Sequence, residues 1–319
     1  MRKQVIFLLT LLFVVIGAAC QTETEGVVET SENEPIVVMN GDKKLAFEQP
    51  PRRAISVNQH VTEVMLALGL EEHMIGTAFL DDEIHPDYQE PYENIPVLAD
   101  HYPSKEIILK EEPDFVYAGW ESAFTEDAVG SREDLHAIQI GTYLQESSNM
   151  VNPQLEDVFQ DIRNIGTIFQ VEDRAEALIR DMTEKIEKTK EKIPEQDTPK
   201  KVFVYDSGED APLTATQNIL NTLITMAEAK NIFGDIEKGW ATVSWEGVAE
   251  HNPDEIIIID YGETSVEDKM AFLENHPMMA QLDAVQNKRY TVIPLSVASE
   301  GIRVPEAFEK IVDGIYREE

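Results

Sequence analysis

Short apolar runs and segments with helical spacing of apolar residues alternate along the first half of the chain. Apolar residues at 61, 64, 65 and 68 recur on one helix face, whereas 54–57 is a short apolar run typical of a buried strand. This repeated order of strand and helix predicts a parallel sheet covered by helices. The elements predicted in this half are strands at 54–57, 74–78, 114–118 and 142–143, and helices at 61–70, from Ser104 onward, at 135–140 and at 155–169.

A long amphipathic helix separates this pattern from a second one. Its apolar residues share one face between 173 and 193, and Asp173 with Glu176 resembles a capping box at its start. At roughly 1.5 Å per residue the helix is about 31 Å long. The elements predicted after it are strands at 201–205, 255–260 and 290–294, and helices at 218–227, 245–250, 266–275 and 305–316.

The fold class predicted from these two patterns is α/β, with two Rossmann-like lobes joined by one long backbone helix. Each lobe is a mainly parallel sheet flanked by helices, and a chain of 319 residues with 42% hydrophobic residues is long enough for both. The predicted boundaries are 37–171 for the N-terminal lobe, 172–194 for the connecting helix and 195–319 for the C-terminal lobe. Ligands of such sheets bind beyond the carboxyl ends of the strands, so two facing lobes predict a ligand cleft.

The first 36 residues differ from the rest and predict a secretory signal followed by a tether. Arg2 and Lys3 precede an apolar run at 5–16, which is shorter than the roughly 20 residues of a membrane span. Small residues then lead to Cys20, in a context that resembles the bacterial lipobox and implies cleavage before this residue and lipid on its thiol. The alternative is an ordinary signal peptide with an incidental cysteine. The acidic segment 20–36 is predicted to be a disordered tether.

The net charge of −35 narrows the range of partners. Nucleic acids and anionic membrane surfaces attract basic patches, so neither is a predicted partner of the folded lobes. Cys20 is the single cysteine, so no disulfide is predicted and the fold depends on its apolar cores. The predicted location is the extracytoplasmic face of the cell membrane, with attachment through lipid on Cys20.

Four segments resemble, in order and spacing, the helical-backbone (class III) ABC transporter substrate-binding lipoproteins that serve ferric siderophores, cobalamin and heme. The segments are PPRRAISVNQHVTEVMLALGLEEHMIGTA, PSKEIILKEEPDFVYAGW, TATQNILNTLITMAEAKNIFGDIEKGWATVSWEGVAEHNPDEIIIID and HPMMAQLDAVQNKRYTVIPL. The resemblance implies a rigid two-lobed receptor that holds its ligand between the lobes and delivers it to an ABC permease dimer. The long helix matches the connector between the lobes of that family, and we expect a monomer.

Four aromatic residues stand next to regular elements on the predicted cleft side: Phe79, Tyr102, Trp120 and Trp240. Bulky and largely apolar chelates require flat aromatic walls, so these residues are candidate ligand contacts. The resemblance implies the same role for Phe79, Trp120 and Trp240, because aromatic residues at matching positions line the cleft of the family. The alternative is that they belong to the core, which is what we expect for Trp245 in its helix-like segment.

Two further residues are candidates for ligand contact. His60 follows the first strand, where its imidazole could donate to a chelate oxygen or bind a metal; the alternative is that it caps the following helix. Arg303 lies between the last strand and the last helix and resembles a Gly-x-Arg position at which an arginine of the family faces the ligand. A guanidinium can bind carboxylate or hydroxamate oxygens through two hydrogen bonds. The alternative for Arg303 is a salt bridge at the start of the helix.

Glu106 and Glu246 occupy the same local sequence unit, once in each lobe. Each precedes a Pro-Asp dipeptide by seven residues, at the place where the first turn of a helix is expected. The resemblance implies that one such carboxylate on the rim of each lobe docks to arginines of the permease. The alternative is that both glutamates are there because the helix dipole favours acidic residues in a first turn.

The predicted ligand is a metal chelate, with a ferric siderophore of the hydroxamate type favoured. Few basic residues lie near the predicted cleft loops, and Arg132 and Arg303 are the candidates, so an anionic catecholate chelate fits less well. Cobalamin and heme stay open as ligands because aromatic walls suit both. A receptor for bare zinc or manganese is a further alternative, with His60, His101 and Asp260 as candidate metal-coordinating residues.

No catalytic residue, cofactor or resident metal is predicted. The sequence contains no Walker loop, no G-x-S-x-G, no H-E-x-x-H and no G-x-G-x-x-G pattern. A lipid-anchored enzyme, the alternative from a different functional class, therefore has no motif in its favour.

Overall fold

The computed structural model describes residues 35–317 of the chain. The predicted signal peptide, Cys20 and nearly all of the predicted tether lie outside the described residues. The strands are β1 (Ile36–Asn40), β2 (Lys43–Phe47), β3 (Ala54–Val57), β4 (Met74–Ala78), β5 (Val97–Ala99), β6 (Phe115–Ala118), β7 (Gly141–Leu144), β8 (Lys201–Tyr205), β9 (Leu213–Ala215), β10 (Lys230–Asn231), β11 (Trp240–Thr242), β12 (Glu255–Asp260) and β13 (Tyr290–Pro294). The α-helices are α1 (Gln59–Ala67), α2 (Gln89–Tyr92), α3 (Lys105–Lys110), α4 (Arg132–Ala137), α5 (Leu155–Ile168), α6 (Glu172–Lys190), α7 (Ile219–Met226), α8 (Trp245–His251), α9 (Val266–Asn275), α10 (Asp283–Gln286) and α11 (Val304–Ile315).

Each lobe is built on a parallel sheet. The first sheet has the strand order β5-β4-β3-β6-β7 and the second has the order β10-β8-β12-β13, with every pair of neighbours parallel. The helix α6 stands between them in the chain. The α/β fold class with two helix-flanked lobes and one long connecting helix is confirmed.

Side chains on each sheet alternate between an outer core and an inner core. On β6, Phe115 and Tyr117 face the inner core, whereas Val116 and Ala118 face an outer core of the first lobe. The isoleucines of β12 alternate in the same way, because successive strand residues point to opposite faces. Parallel strands that are buried on both faces read as continuous apolar runs, and this is why the sequence pattern identified them.

The inner core is continuous from one lobe to the other. It contains side chains of β6 and β12 together with residues of α1, α5, α6, α7 and α11. Opening the two lobes would therefore expose apolar surface, and each Å² of such surface costs about 25 cal/mol. The structure thus has the packing expected of a rigid receptor rather than of two lobes on a flexible hinge.

Short antiparallel pairs are the main elements that the sequence pattern did not predict. The hairpin β1–β2 begins at Ile36, inside the segment predicted as tether, and its inward-facing Val38 and Leu45 join the inner core. Asn40 holds the hairpin to β7 by donating to the carbonyl of Leu144 at 2.8 Å. The attachment of this local hairpin to β7 joins residues 104 positions apart, so the sequence of a five-residue strand does not predict it.

The start of α6 also differs from the prediction. Its N-cap residue is Val171, which offers no side-chain hydrogen bond, and Asp173 lies in the first turn. The reciprocal capping box occurs instead at α5, between Gln154 and Asp157. Within residues 35–317, no helix combines the length and the apolar character needed to cross a membrane.

Candidate ligand-binding cleft

A cleft of about 450 Å³ lies between the lobes, where loops following strands of both sheets face one another. Phe79 and Asp81 follow β4, Trp120 follows β6, Asp206 follows β8, and Tyr261 follows β12. This is the place at which open α/β sheets bind ligands. Its volume lies within the usual range of small-molecule pockets, about 300–1,000 Å³.

Four aromatic residues predicted as ligand contacts line this cleft together: Phe79, Tyr102, Trp120 and Trp240. The rings of Phe79 and Tyr102 meet edge to face, with their centroids 4.7 Å apart and their planes at 70°. Trp240 comes from the opposite lobe, at the first residue of β11. The arrangement presents flat apolar faces from two sides and fits a ligand with a broad apolar surface.

Tyr261 is a fifth aromatic residue of the cleft and was not among the residues predicted from the sequence. It directly follows the buried strand β12 and is 41% exposed. The rule that ligands lie beyond the carboxyl ends of strands was sufficient to identify it. Trp245, in contrast, is 4% exposed, and its indole N–H donates to the carbonyl of Glu209 at 2.7 Å. Its predicted place in the core is confirmed.

Two cleft residues have backbone φ angles in the left-handed region, which residues other than glycine rarely adopt. Asn58 has φ 90° and Phe79 has φ 57°. The side-chain oxygen of Asn58 accepts from the N–H of Gly119 at 3.2 Å, and its amide donates to the hydroxyl of Tyr102 at 3.4 Å. Such backbone strain persists only where the surroundings impose it, and it is concentrated at functional sites. Here it fixes the positions of two wall residues.

His60 lies behind the aromatic wall and not on the cleft surface. It belongs to the first turn of α1, its side chain is buried, and its ring centroid lies 5.1 Å from that of Trp120. Gly119 permits this approach, since a Cβ there would lie 2.2 Å from the imidazole Cε1. Burial lowers the pKa of His60 to about 3, so the ring is neutral at physiological pH. His60 supports Trp120 from behind.

Arg303 also lies outside the cleft lining, in a buried ion pair. Its Nε donates to Oε2 of Glu63 at 2.8 Å, and its terminal nitrogen donates to the carbonyl of Glu83 at 2.9 Å. Arg303 is the N-cap residue of α11, whereas Glu63 lies on α1 of the other lobe. The structure thus shows the salt bridge at the helix start that the sequence analysis kept as the alternative.

The charged side chains that line the cleft are acidic. Asp81, Asp206 and Glu300 line it, and no lysine, arginine or histidine is among the lining residues in the described part of the chain. Burial, followed by the charge of Asp82, raises the pKa of Asp81 to about 6. Burial also raises the pKa of Glu300 to about 7. Both shifts show that burial disfavours the charged form of these carboxyl groups and that no neighbouring cation in the described part of the chain offsets this effect.

Glu106 and Glu246 occupy equivalent positions in the two lobes. Glu106 is exposed in the first turn of α3, and Glu246 is exposed in the first turn of α8. After each helix an aspartate accepts a backbone N–H from the start of a neighbouring strand: Asp114 at 2.9 Å beside β3, and Asp254 at 2.7 Å beside β8. The repeated sequence unit is therefore a repeated structural unit, with one exposed carboxylate in each lobe.

Residues 35–317 contain no group of three or more histidine, cysteine, aspartate or glutamate side chains arranged to hold a metal ion. His60 and Arg132 are both engaged with protein partners. His60 contacts the hydroxyl of Ser148 at 3.2 Å, and Arg132 donates to the side chains of Asn40 and Thr142. The polar groups that face a ligand in the cleft are thus carboxylates, hydroxyls and amides.

The chain has relatives among known proteins. The sequence pattern of the family described as periplasmic binding protein matches residues 55–296. The uncharacterized ABC transporter substrate-binding lipoprotein YvrC of Bacillus subtilis (strain 168) is 25% identical over 280 residues, which cover 86% of this chain and 83% of that protein. The vitamin B12-binding protein of Pectobacterium carotovorum subsp. carotovorum (strain PC1) is 25% identical over 209 residues, 65% of this chain and 71% of that protein. The crystal structure of a periplasmic binding protein from Veillonella parvula DSM 2008 superposes with a TM-score of 0.82 at 29% identity, covering 89% of this chain and 99% of that one.

Proposed function

The chain belongs to the periplasmic binding protein family and is a substrate-binding protein of an ABC transporter, and we propose that its ligand is a metal chelate held between the two lobes. The observation that carries the proposal is the aromatic-walled cleft at the carboxyl ends of both sheets. Phe79, Tyr102, Trp120 and Trp240 form its ligand-contacting walls, while His60 supports Trp120 from behind and Arg303 holds α11 against α1. The role is capture and delivery, without a catalytic step.

A ferric siderophore of the hydroxamate type is the favoured ligand. Ferric hydroxamates do not carry the multiple negative charges of ferric catecholates, and the cleft offers carboxylates rather than cations to a ligand. A polyanionic chelate would lie against Asp81, Asp206 and Glu300 and would be repelled. The same charge argument disfavours heme, whose two propionates are anionic.

Cobalamin is the second candidate, because one of the relatives is named as a vitamin B12-binding protein. A corrin ring is broad and flat and suits aromatic walls on opposing lobes. Its amide side chains are neutral, so the acidic lining does not oppose it. The two candidates share the cleft and differ in which ligand surface meets Trp120 and Trp240.

Delivery requires a location and a partner. We place the protein on the extracytoplasmic face of the cell membrane, anchored through lipid on Cys20, as a monomer that docks to an ABC permease dimer. Glu106 and Glu246 are the proposed docking carboxylates, because each is exposed at the same place in its lobe. A rigid body with one contact on each lobe suits docking to two permease subunits.

A thermal-shift screen tests the ligand class. A ligand that binds only the folded state raises the unfolding midpoint in proportion to the logarithm of its concentration over Kd. Ferric hydroxamates are expected to raise the midpoint, with cobalamin as the second arm and ferric catecholates, heme and bare zinc or manganese as comparisons. A shift by zinc or manganese alone would replace the chelate proposal, and no shift in any arm would remove it.

A further inference from the structure

Two carboxylates line the cleft from opposite lobes, and neither forms an ion pair with a basic side chain in the described part of the chain. Asp81 follows β4 in the first lobe, and Asp206 follows β8 in the second. The side chain of Asp81 takes part in no hydrogen bond or ion pair there, and that of Asp206 accepts only from the hydroxyl of the adjacent Ser207, at 2.6 Å. Asp206 is 8% exposed and Asp81 is half-buried, so water does not fully solvate either charge.

Tyr261 lines the same cleft as both carboxylates, and it follows β12 just as Asp206 follows the neighbouring strand β8. Its pKa is raised first by burial and then by the charges of Asp81 and Asp206, so the fields of the two carboxylates converge on its phenol. Tyr261 is 41% exposed and lines the same cleft, with its aromatic ring available to a ligand. A π-face beside two carboxylates is the arrangement that binds organic cations, through charge pairing and the negative face of the ring.

Lys269 is a buried lysine that interacts electrostatically with Asp206, but its ammonium group points to backbone carbonyls and not to the cleft. Its ammonium donates to the backbone carbonyls of Ile259 at 2.7 Å and Tyr261 at 3.0 Å. Its charge partly offsets that of Asp206, but it forms no ion pair with either cleft carboxylate and does not line the cleft. Across the cleft Asp82 adds further negative charge beside Asp81. The net field at the cleft surface therefore favours a cation.

We infer that Asp81, Asp206 and Tyr261 form a subsite for a positively charged group on the ligand, so that the cleft selects cationic chelates over neutral ones of the same size. The inference rests on the proposed function and extends it, since it names the residues that determine specificity. The aromatic walls bind the body of the chelate, and the subsite discriminates between ligands by their charge. An unpaired, partly desolvated carboxylate such as Asp81 destabilises the empty protein, and a cationic ligand relieves this destabilisation.

Matched ligand pairs test the subsite by titration of tryptophan fluorescence or by calorimetry. Ferrioxamine B, a linear ferric trihydroxamate with a free ammonium group, is compared with its N-acetylated neutral form. Aquocobalamin, with one positive charge, is compared with neutral cyanocobalamin. The charged member of the pair that binds is expected to bind about tenfold more tightly, as one well-placed charge pair provides.

The double variant Asp81→Asn with Asp206→Asn keeps the size of both side chains and removes both charges. It is expected to lose the preference for the charged ligand while keeping the affinity for the neutral one, because the aromatic walls are untouched. The control is Asp127→Asn with Asp235→Asn, which removes two exposed charges outside the cleft and is expected to keep the preference. Thermal midpoints establish that both variants are folded.

The outcomes separate the inference from the proposed function. Equal affinity for both members of a pair, or tightest binding by a polyanionic ferric tricatecholate, overturns the cationic subsite and leaves the import receptor standing. A preference that persists in the Asp81→Asn, Asp206→Asn variant also overturns it. Failure of every chelate to bind removes both the proposed function and the inference.

Discussion

Arg303 and Glu63 form a buried ion pair that joins the two lobes behind the cleft, although they lie 240 residues apart in the sequence. Two guanidinium nitrogens bind the carboxylate, and one of them also donates to the carbonyl of Glu83. The side chain of Glu63 additionally accepts from Gln59 at 3.1 Å and from the N–H of His85 at 3.0 Å. The guanidinium group of Arg303 is thus hydrogen-bonded within the protein, and its role is to hold α1 against α11.

Breaking this pair by Arg303→Met is expected to reduce the free energy of unfolding by about 3–5 kcal/mol, because the substitution leaves the carboxylate of Glu63 buried and uncompensated. Urea denaturation measures the change. Adding Glu63→Leu is expected to recover most of the loss. Lys185→Met breaks an exposed pair with Asp181 and is expected to cost less than about 0.5 kcal/mol. Full stability of Arg303→Met combined with lost ligand binding would instead make Arg303 a ligand contact.

Ligand binding is expected to quench tryptophan fluorescence through Trp120 and Trp240, which line the cleft. Trp120→Phe and Trp240→Phe are each expected to remove part of the quenching. Trp120→Ala is expected to weaken binding about tenfold, since a large aromatic contact area is lost. Trp245→Phe is the control, because this indole is buried in the outer core of the second lobe. Quenching that disappears only in Trp245→Phe would place the ligand elsewhere.

Glu106→Ala combined with Glu246→Ala is expected to leave ligand affinity unchanged and to stop uptake. Both carboxylates are exposed outside the cleft, so their loss affects docking to the permease and not capture. Uptake of labelled chelate by cells and titration of the purified protein measure the two effects. Glu172→Ala with Glu267→Ala is the matched control, since both lie exposed in first turns of helices. Persistent uptake in the first variant, or lost uptake in the control, contradicts the docking assignment.

Glu300 is expected to make stability depend on pH. Burial raises its pKa in the folded protein to about 7, compared with 4.5 for the unfolded chain. Its stabilising effect is therefore complete below pH 4.5 and is lost as the pH rises to 7. The loss is about 3 kcal/mol, and Glu300→Gln is expected to lack it.

Urea denaturation from pH 4 to 8 measures the difference between the natural protein and the Glu300→Gln variant. His60 acts in the opposite direction, because its pKa is lowered from 6.5 to about 3, and it destabilises both proteins equally as the pH falls. The difference between the proteins therefore isolates Glu300. Parallel pH profiles would show that the pKa of Glu300 is the same in the folded and unfolded protein, with its acceptor bonds to the N–H of Ile219 and to Ser148 balancing the effect of burial.

Cys20→Ser is expected to release the protein from the membrane fraction, because the thiol that would carry lipid is absent. Cell fractionation and metabolic labelling with palmitate measure the effect. Thr24→Ser, a hydroxyl-conserving change in the same segment, is the control and is expected to stay membrane-bound and labelled. Unchanged fractionation and labelling in Cys20→Ser would restore the alternative of an ordinary signal peptide.

The longer strands and helices of the two lobes were predictable from the sequence to within a few residues. Strands β3, β4, β8, β12 and β13 begin and end where the apolar runs predicted. Buried parallel strands and amphipathic helices are encoded by local periodicity, and their alternation leads directly to the two-lobed α/β fold. The same knowledge placed Phe79 and Trp120 at the cleft, because the carboxyl ends of parallel strands define where a ligand sits. Trp240 begins the antiparallel strand β11, and its predicted place at the cleft came from the family resemblance.

The roles of the polar residues were decided only by the tertiary structure. His60 closely follows the cleft residue Asn58 in sequence, yet the absence of a side chain at Gly119 lets it pack behind Trp120. Arg303 was a plausible ligand contact until the fold placed Glu63 beside it. Conversely, Asp81 and Asp206 carry no motif and became a candidate pair when two lobes brought them to one cleft. Periodicity reports which residues avoid water, but the partner of a buried or half-buried charge depends on distant segments that meet only in the folded chain.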